Sequence, residues 1–135
     1  MALEVVRATL LAKLATTEET PFGPETWVYK VKGKMFALLA WSETPLRVTL
    51  KCQPSHALAL RTLYPAVTPG YYMNKAHWNT VLLDGSIPSV EIEDMMEASY
   101  QLVVAGLPKT ERLALAAEAV RGDGTQTVKC SITRV

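Results

Sequence analysis

Within the stretch GYYMNKAHWNTV, Gly70 to Val81, stand Asn74, Lys75, His77 and Trp78, all inside five positions. Amide, ammonium and imidazole groups this close can present donors to an anion such as phosphate. Tyr71, Tyr72 or Trp78 would add a flat surface on which a base can stack. The same residues have a purely structural reading. Asn tolerates a left-handed backbone and bonds its own chain at turns. Trp78 brings a large apolar surface to bury, at a cost of about 3–5 kcal/mol on truncation if its ring is fully covered. His77 can satisfy a backbone carbonyl. Lys75 fits that reading least well, because a charged tip on a turn is usually left in water.

Other chemistry finds little support. His56 and His77 are the only histidines, and neither has a partner at metal-ligand spacing, so no metal or cofactor is expected. No nucleophile elbow, phosphate-binding glycine loop or dinucleotide fingerprint is present. Ser99 with His77 lacks an acid to orient the imidazole, and Asp94 with Glu97 fits a solvated helix face. No catalytic residue is assigned. Cys52 and Cys130 lie far apart and read as two free thiols of a reducing compartment.

The charge is unevenly spread. The net charge is only +1, yet Thr26 to Leu83 holds seven basic residues (Lys30, Lys32, Lys34, Arg47, Lys51, Arg61, Lys75) and the single acid Glu43. Asp84 to Glu97 holds five acids and no base. This asymmetry fits an anionic partner, or a helix and a sheet that attract each other.

The elements that must position these residues follow from periodicity. Leu3, Val6, Leu10 and Leu14 predict a helix over Leu3–Ala15, and TTEETPFGP reads as a loop. TWVYKV and KMFALLAW around Lys32-Gly33 make a hairpin. PLRVTLKCQ alternates, with Val48, Leu50 and Cys52 on one face and Arg47, Thr49 and Lys51 on a wet one. Pro54 opens a short helix through PSHALALRTL. GYYMN and HWNTVLLD read as two short strands after an irregular, proline-rich passage. Pro88 to Leu107 is the clearest helix, with its acids in the early turns. KTERLALAAEAVR is a further helix, and VKCSITRV a last strand or tail. The expectation is a single α+β domain over 1–135, a two-layer sandwich of about five antiparallel strands with helices on one face. A monomer in the cytoplasm, without a membrane segment, completes it.

PFG at 21–23, VYKVKGKMFALLAW at 28–41, LKCQP at 50–54, LR at 60–61, YPAVTPGYYMNKAHWNTV at 64–81 and SYQLVVAGLPK at 99–109 together resemble the MmcQ/YjbR family of small bacterial proteins. The match runs from about Thr20 to Arg112. The chain departs from the family pattern at Tyr72, where histidine is frequent, and at Ala76, where arginine or lysine is common. The second departure removes a positive charge beside Lys75. The resemblance implies a compact α+β domain with the outline of type III secretion chaperones. It also implies a predicted DNA-binding role through a double-wing motif, two β-hairpins flanking a helix, and no known enzymatic activity or cofactor.

Three readings stay open. In the first, nucleic-acid phosphates meet Lys30, Arg47 and Lys51 on the sheet face, Lys32 and Lys34 at one hairpin tip and Lys75 at a second turn. In the second, Trp27, Trp41 and Tyr71 form an apolar patch for a protein partner. In the third, a pocket near Asn74, Lys75 and His77 takes a small ligand.

Overall fold

The computed structural model describes residues 2–42, 44–70 and 74–125. Helix α1, Leu3–Leu11, buries Val6 and Leu10 completely. It ends before the expected Ala15, and after a turn the left-handed φ of 60° at Ala15 redirects the chain. The chain then enters strand β1, Thr16–Glu19, where a loop was expected. β1 pairs antiparallel with β2, Thr26–Val31. What holds it is a side-chain network. Arg7 of α1 donates Nε and Nη2 to the Glu18 carboxylate at 2.9 and 2.8 Å, and the Tyr29 hydroxyl donates to it at 2.6 Å.

β2 turns into β3, Lys34–Ala40, through Lys32 and Gly33. Their φ values of 50° and 79° are the paired positive values of a two-residue hairpin turn, so the expected hairpin forms. A register shift between Tyr29 and Lys30 leaves Phe36 as an extra residue on β3. β4 spans Arg47–Lys51, and α2, Pro54–Leu63, starts on its proline. β5 is short, Val67–Pro69, and β6 spans Trp78–Leu82. The six strands form one antiparallel sheet in the order β1-β2-β3-β4-β6-β5. The expected strand over GYYMN lies largely, and the VKCSITRV segment wholly, outside the described residues, as do Tyr71, Tyr72 and Cys130.

Tyr29, Ala37, Leu39, Val48, Leu50, Val67 and Val81 face the helices and form the core with Ile92, Met95, Met96 and Val103 of α3, Ser89–Ala105. Each fully covered side chain of this kind contributes roughly 1.5–3 kcal/mol. The last helix, α4, spans Lys109–Thr125 and adds Leu115 to the core. The fold is thus α+β, helices over one side of an antiparallel sheet. The opposite sheet face carries Arg47, Thr49 and Lys51, but Thr49 is buried there. It lies between Leu38 and Thr80, and its hydroxyl is 3.0 Å from that of Thr80.

Candidate functional site

The Asn74–Trp78 segment is a turn closed mostly on itself. The Asn74 side-chain oxygen accepts the Ala76 N–H at 3.0 Å, and its backbone oxygen accepts the N–H groups of His77 and Trp78, each at 3.0 Å. Residues just past β4 and β5 hold the exit. Cys52 N–H donates to the His77 carbonyl at 2.7 Å, and Gly70 N–H to that of Trp78 at 2.8 Å. Asn74 thus bonds its own chain through both its side chain and its backbone. Trp78 is only partly covered, as is His77, while Asn74, Lys75 and Ala76 are exposed.

Two residues whose roles the sequence does not reveal complete this turn. Arg61, near the end of α2, donates Nε to the Asn79 side-chain oxygen at 2.7 Å, and Nη2 to the carbonyls of Lys75 and, at 3.3 Å, Trp78. Asn79 is 2% exposed and donates in turn to the Ala57 carbonyl at 3.3 Å. Ser99 plays a matching part beneath β4. It is fully buried, its hydroxyl donates to the Phe36 carbonyl, and it accepts the Lys51 N–H at 2.8 Å. With both lone-pair and proton engaged inside the core, Ser99 is a strut and no nucleophile.

Strand register distributes the basic candidates. Ala37 faces Leu50 and Lys51 faces Trp78, so the start of β3, the end of β4 and the start of β6 share one end of the sheet. Lys34, Lys51 and the Lys75 turn lie there, with Lys32 at the hairpin tip. Arg47 lies at the other end, opposite Leu82. Not all these charges are available. Lys32 Nζ is 2.9 Å from Glu118 and Lys30 Nζ is 3.1 Å from Glu19. Lys34, Lys51 and Lys75 have no ion pair among the described residues.

The acids are arranged lengthwise. α3 begins six residues after Leu83, whose N–H bonds Leu46 beside the Arg47 end, and reaches the Lys51 end at Ser99. Glu91, Glu93 and Asp94 consequently lie about 12, 9 and 7.5 Å along the axis from Ser99, Glu91 the farthest from the basic end. Glu97, closer to it, is 2.7 Å from Lys13.

Trp27 and Trp41 are half-buried and stack on each other at 5.6 Å, Arg7 lies over Trp27, and the Trp41 indole N–H donates to the Pro24 carbonyl. They are braced into the fold. Among the described residues, a cleft between α2 and α3 is lined by Cys52, His56, Leu60, Asn79 and Met95 among others. Burial pushes the Cys52 thiol pKa up, away from the reactive thiolate. No group of three or more metal-ligating side chains occurs among the described residues, and no helix among them is long and apolar enough to cross a membrane.

The YjbR family model matches residues 11–102 of the sequence. The chain belongs to the YjbR family. It is 42% identical over 86 residues to the uncharacterized protein YjbR of Escherichia coli strain K12, covering 64% of this chain and 73% of that one. It is 38% identical over 92 residues to the uncharacterized protein YbdF of Escherichia coli O157:H7, covering 68% and 75%. The crystal structure of Deinococcus radiodurans protein DR2400, a DUF419 domain, superposes with a TM-score of 0.81 at 36% identity, covering 85% of this chain and 88% of that one. A Pseudomonas syringae protein superposes with a TM-score of 0.66 at 30% identity, covering 76% and 98%. The sheet and helices that carry the turn are thus the YjbR fold.

Proposed function

We propose that this YjbR-family chain binds nucleic acid by contacting phosphates with Lys34, Lys51 and Lys75. One observation carries the reading: three lysines without an ion pair among the described residues share one end of the sheet, while the acidic turns of α3 lie toward the other. Two hairpins reach that end, β2–β3 and β5–β6, on either side of β4. Their midlines are three strand spacings apart, about 14 Å. A B-DNA major groove is about 12 Å wide. Hairpins at that separation, with α2 between them in chain order, are compatible with the double-wing description, Lys34 and Lys75 each meeting one wall of phosphates. Lys32, tied to Glu118, and Lys30, tied to Glu19, take lesser parts, and Arg47 serves a different end of the sheet. Asn74, His77 and Trp78 shape the tip that carries Lys75.

Binding of this kind depends on released counterions. Each phosphate neutralised contributes about 0.9 to the slope of log affinity against log salt. Fluorescence anisotropy with labelled double- and single-stranded DNA across a salt series tests the reading. The Lys34→Ala/Lys51→Ala/Lys75→Ala variant should bind more weakly, with a slope lower by about 2.7 if each lysine neutralises one phosphate. No binding by the wild type at low salt, or a variant with wild-type affinity and slope, overturns it.

A further inference from the structure

We infer that Arg61 is the positioning residue of the Lys75 tip, a latch that orders the 74–78 turn from α2 and so aims the Lys75 ammonium away from the sheet end. The inference rests on the nucleic-acid reading above for the use of Lys75, and on geometry alone for the latch. The Arg61 guanidinium touches three acceptors, the Lys75 carbonyl, the Trp78 carbonyl and the Asn79 side-chain oxygen. None is charged. No carboxylate pairs with Arg61 among the described residues, so its partners are the peptide groups of the turn.

The other hydrogen bonds of the turn leave one gap. Asn74 satisfies the N–H groups of residues 76 to 78, and Cys52 and Gly70 hold the carbonyls of His77 and Trp78. The Lys75 carbonyl is held by Arg61. That carbonyl belongs to the peptide plane that follows the Lys75 α-carbon, so holding it, together with the Asn74 bonds that close the turn, narrows the directions in which the side chain can leave the backbone. Asn79 keeps the guanidinium in place because its own amide is anchored on Ala57 inside the core. A planar fork reaches three acceptors at once, which a lysine ammonium at the same position cannot reproduce. The positive charge beside the turn also repels the Lys75 ammonium toward solvent.

The test is Arg61→Lys in the full chain, which keeps the charge and removes the fork. Amide hydrogen exchange of Ala76, His77 and Trp78 should accelerate about tenfold or more, while Ala37, Leu39 and Leu50 in the sheet keep their protection. Asn79→Ser, which loosens the latch from its other side, should accelerate the same turn amides. Unchanged exchange in both variants overturns the latch whether or not DNA binds. In the anisotropy assay, Arg61→Lys should lose as much affinity as Lys75→Ala. Its salt slope should fall by about 0.9, one phosphate's worth. The double variant should bind no worse than either single one, since both remove the same contact. Additive losses, with the wild type binding normally, overturn the positioning role alone. Absence of binding by the wild type overturns the nucleic-acid reading and, with it, this use of Lys75.

Discussion

Ser99→Ala tests whether the strut beneath β4 is what the geometry says. Ser99 is fully buried, and its hydroxyl serves two main-chain groups, the Phe36 carbonyl at the β3 bulge and the Lys51 N–H at the end of β4. Alanine removes both bonds and adds nothing that can replace them. Stranding buried polar groups costs about 1–3 kcal/mol each. Relaxation at the strand end where Lys51 sits moderates the second, so about 2–4 kcal/mol is expected for the pair. Alanine is the better helix former, which returns about 0.5 kcal/mol. The net loss is about 1.5–3.5 kcal/mol, or roughly 5–15 °C in Tm for a chain of this size. Urea denaturation followed by circular dichroism measures it, with an unchanged m-value showing that the unfolded state is not the cause. A variant within about 0.5 kcal/mol of wild type, the range of an ordinary surface substitution, refutes the reasoning.

Two further perturbations probe the frame around the site. Gly70→Ala would place a Cβ 2.9 Å from the Trp78 Cβ and 3.2 Å from its carbonyl oxygen, neither of which can swing aside, so the variant should lose about 1–3 kcal/mol in the same denaturation assay. A wild-type midpoint would mean that β5 and β6 are not packed this closely. Glu18 is held below its ordinary pKa of 4.5, chiefly by the hydrogen bond from Arg7, against the opposing effect of burial and with help from the Tyr29 hydroxyl. Between the two values the unfolded state binds more protons than the folded one. The stabilisation is therefore full above about pH 4.5 and is lost as pH falls through the folded value. Thermal melts over acid pH should fall less steeply for Glu18→Gln than for wild type, and equal slopes would remove Glu18 from the account of β1.

What could be read from the sequence was whatever local periodicity controls. Of the periodic face Ile92, Met95, Met96, Ser99, Leu102, Val103 and Gly106, all are buried except Leu102, which is half-buried, and Gly106, which is exposed, and Lys32-Gly33 makes its hairpin turn. β1 escaped because Thr16–Glu19 has no apolar alternation of its own. Its place depends on Arg7 and Tyr29, each eleven residues from Glu18. β5 escaped because it is three residues long and ends in Pro69, which only an edge strand tolerates. At the site, the spacing of Asn74 to Trp78 shows a turn with one exposed charge. Arg61 was visible only as one more basic residue, because its acceptors lie 14 to 18 residues away and two of them are main-chain carbonyls. Ser99 showed as a small residue on an apolar stripe, and only the fold reveals the two backbone groups it joins.

The near-neutral total charge argues against nucleic-acid binding only if the charges are mixed. Here they are separated along α3. Glu91 precedes Ser99 by eight residues, about 12 Å along the helix axis. A phosphate at the Lys34, Lys51 and Lys75 end stands farther still from that acid. Screening in physiological salt acts over about 8 Å, so Glu91 is weakly felt there, while Asp94, about 7.5 Å from Ser99 along the axis, is felt more. Glu97, the nearer one, has its repulsion offset by Lys13 at 2.7 Å, and Glu118 is met by Lys32 at 2.9 Å. An approaching polyanion would therefore meet a local excess of positive charge. The acidic end would repel it at longer range in dilute salt, turning the molecule so that the lysines lead.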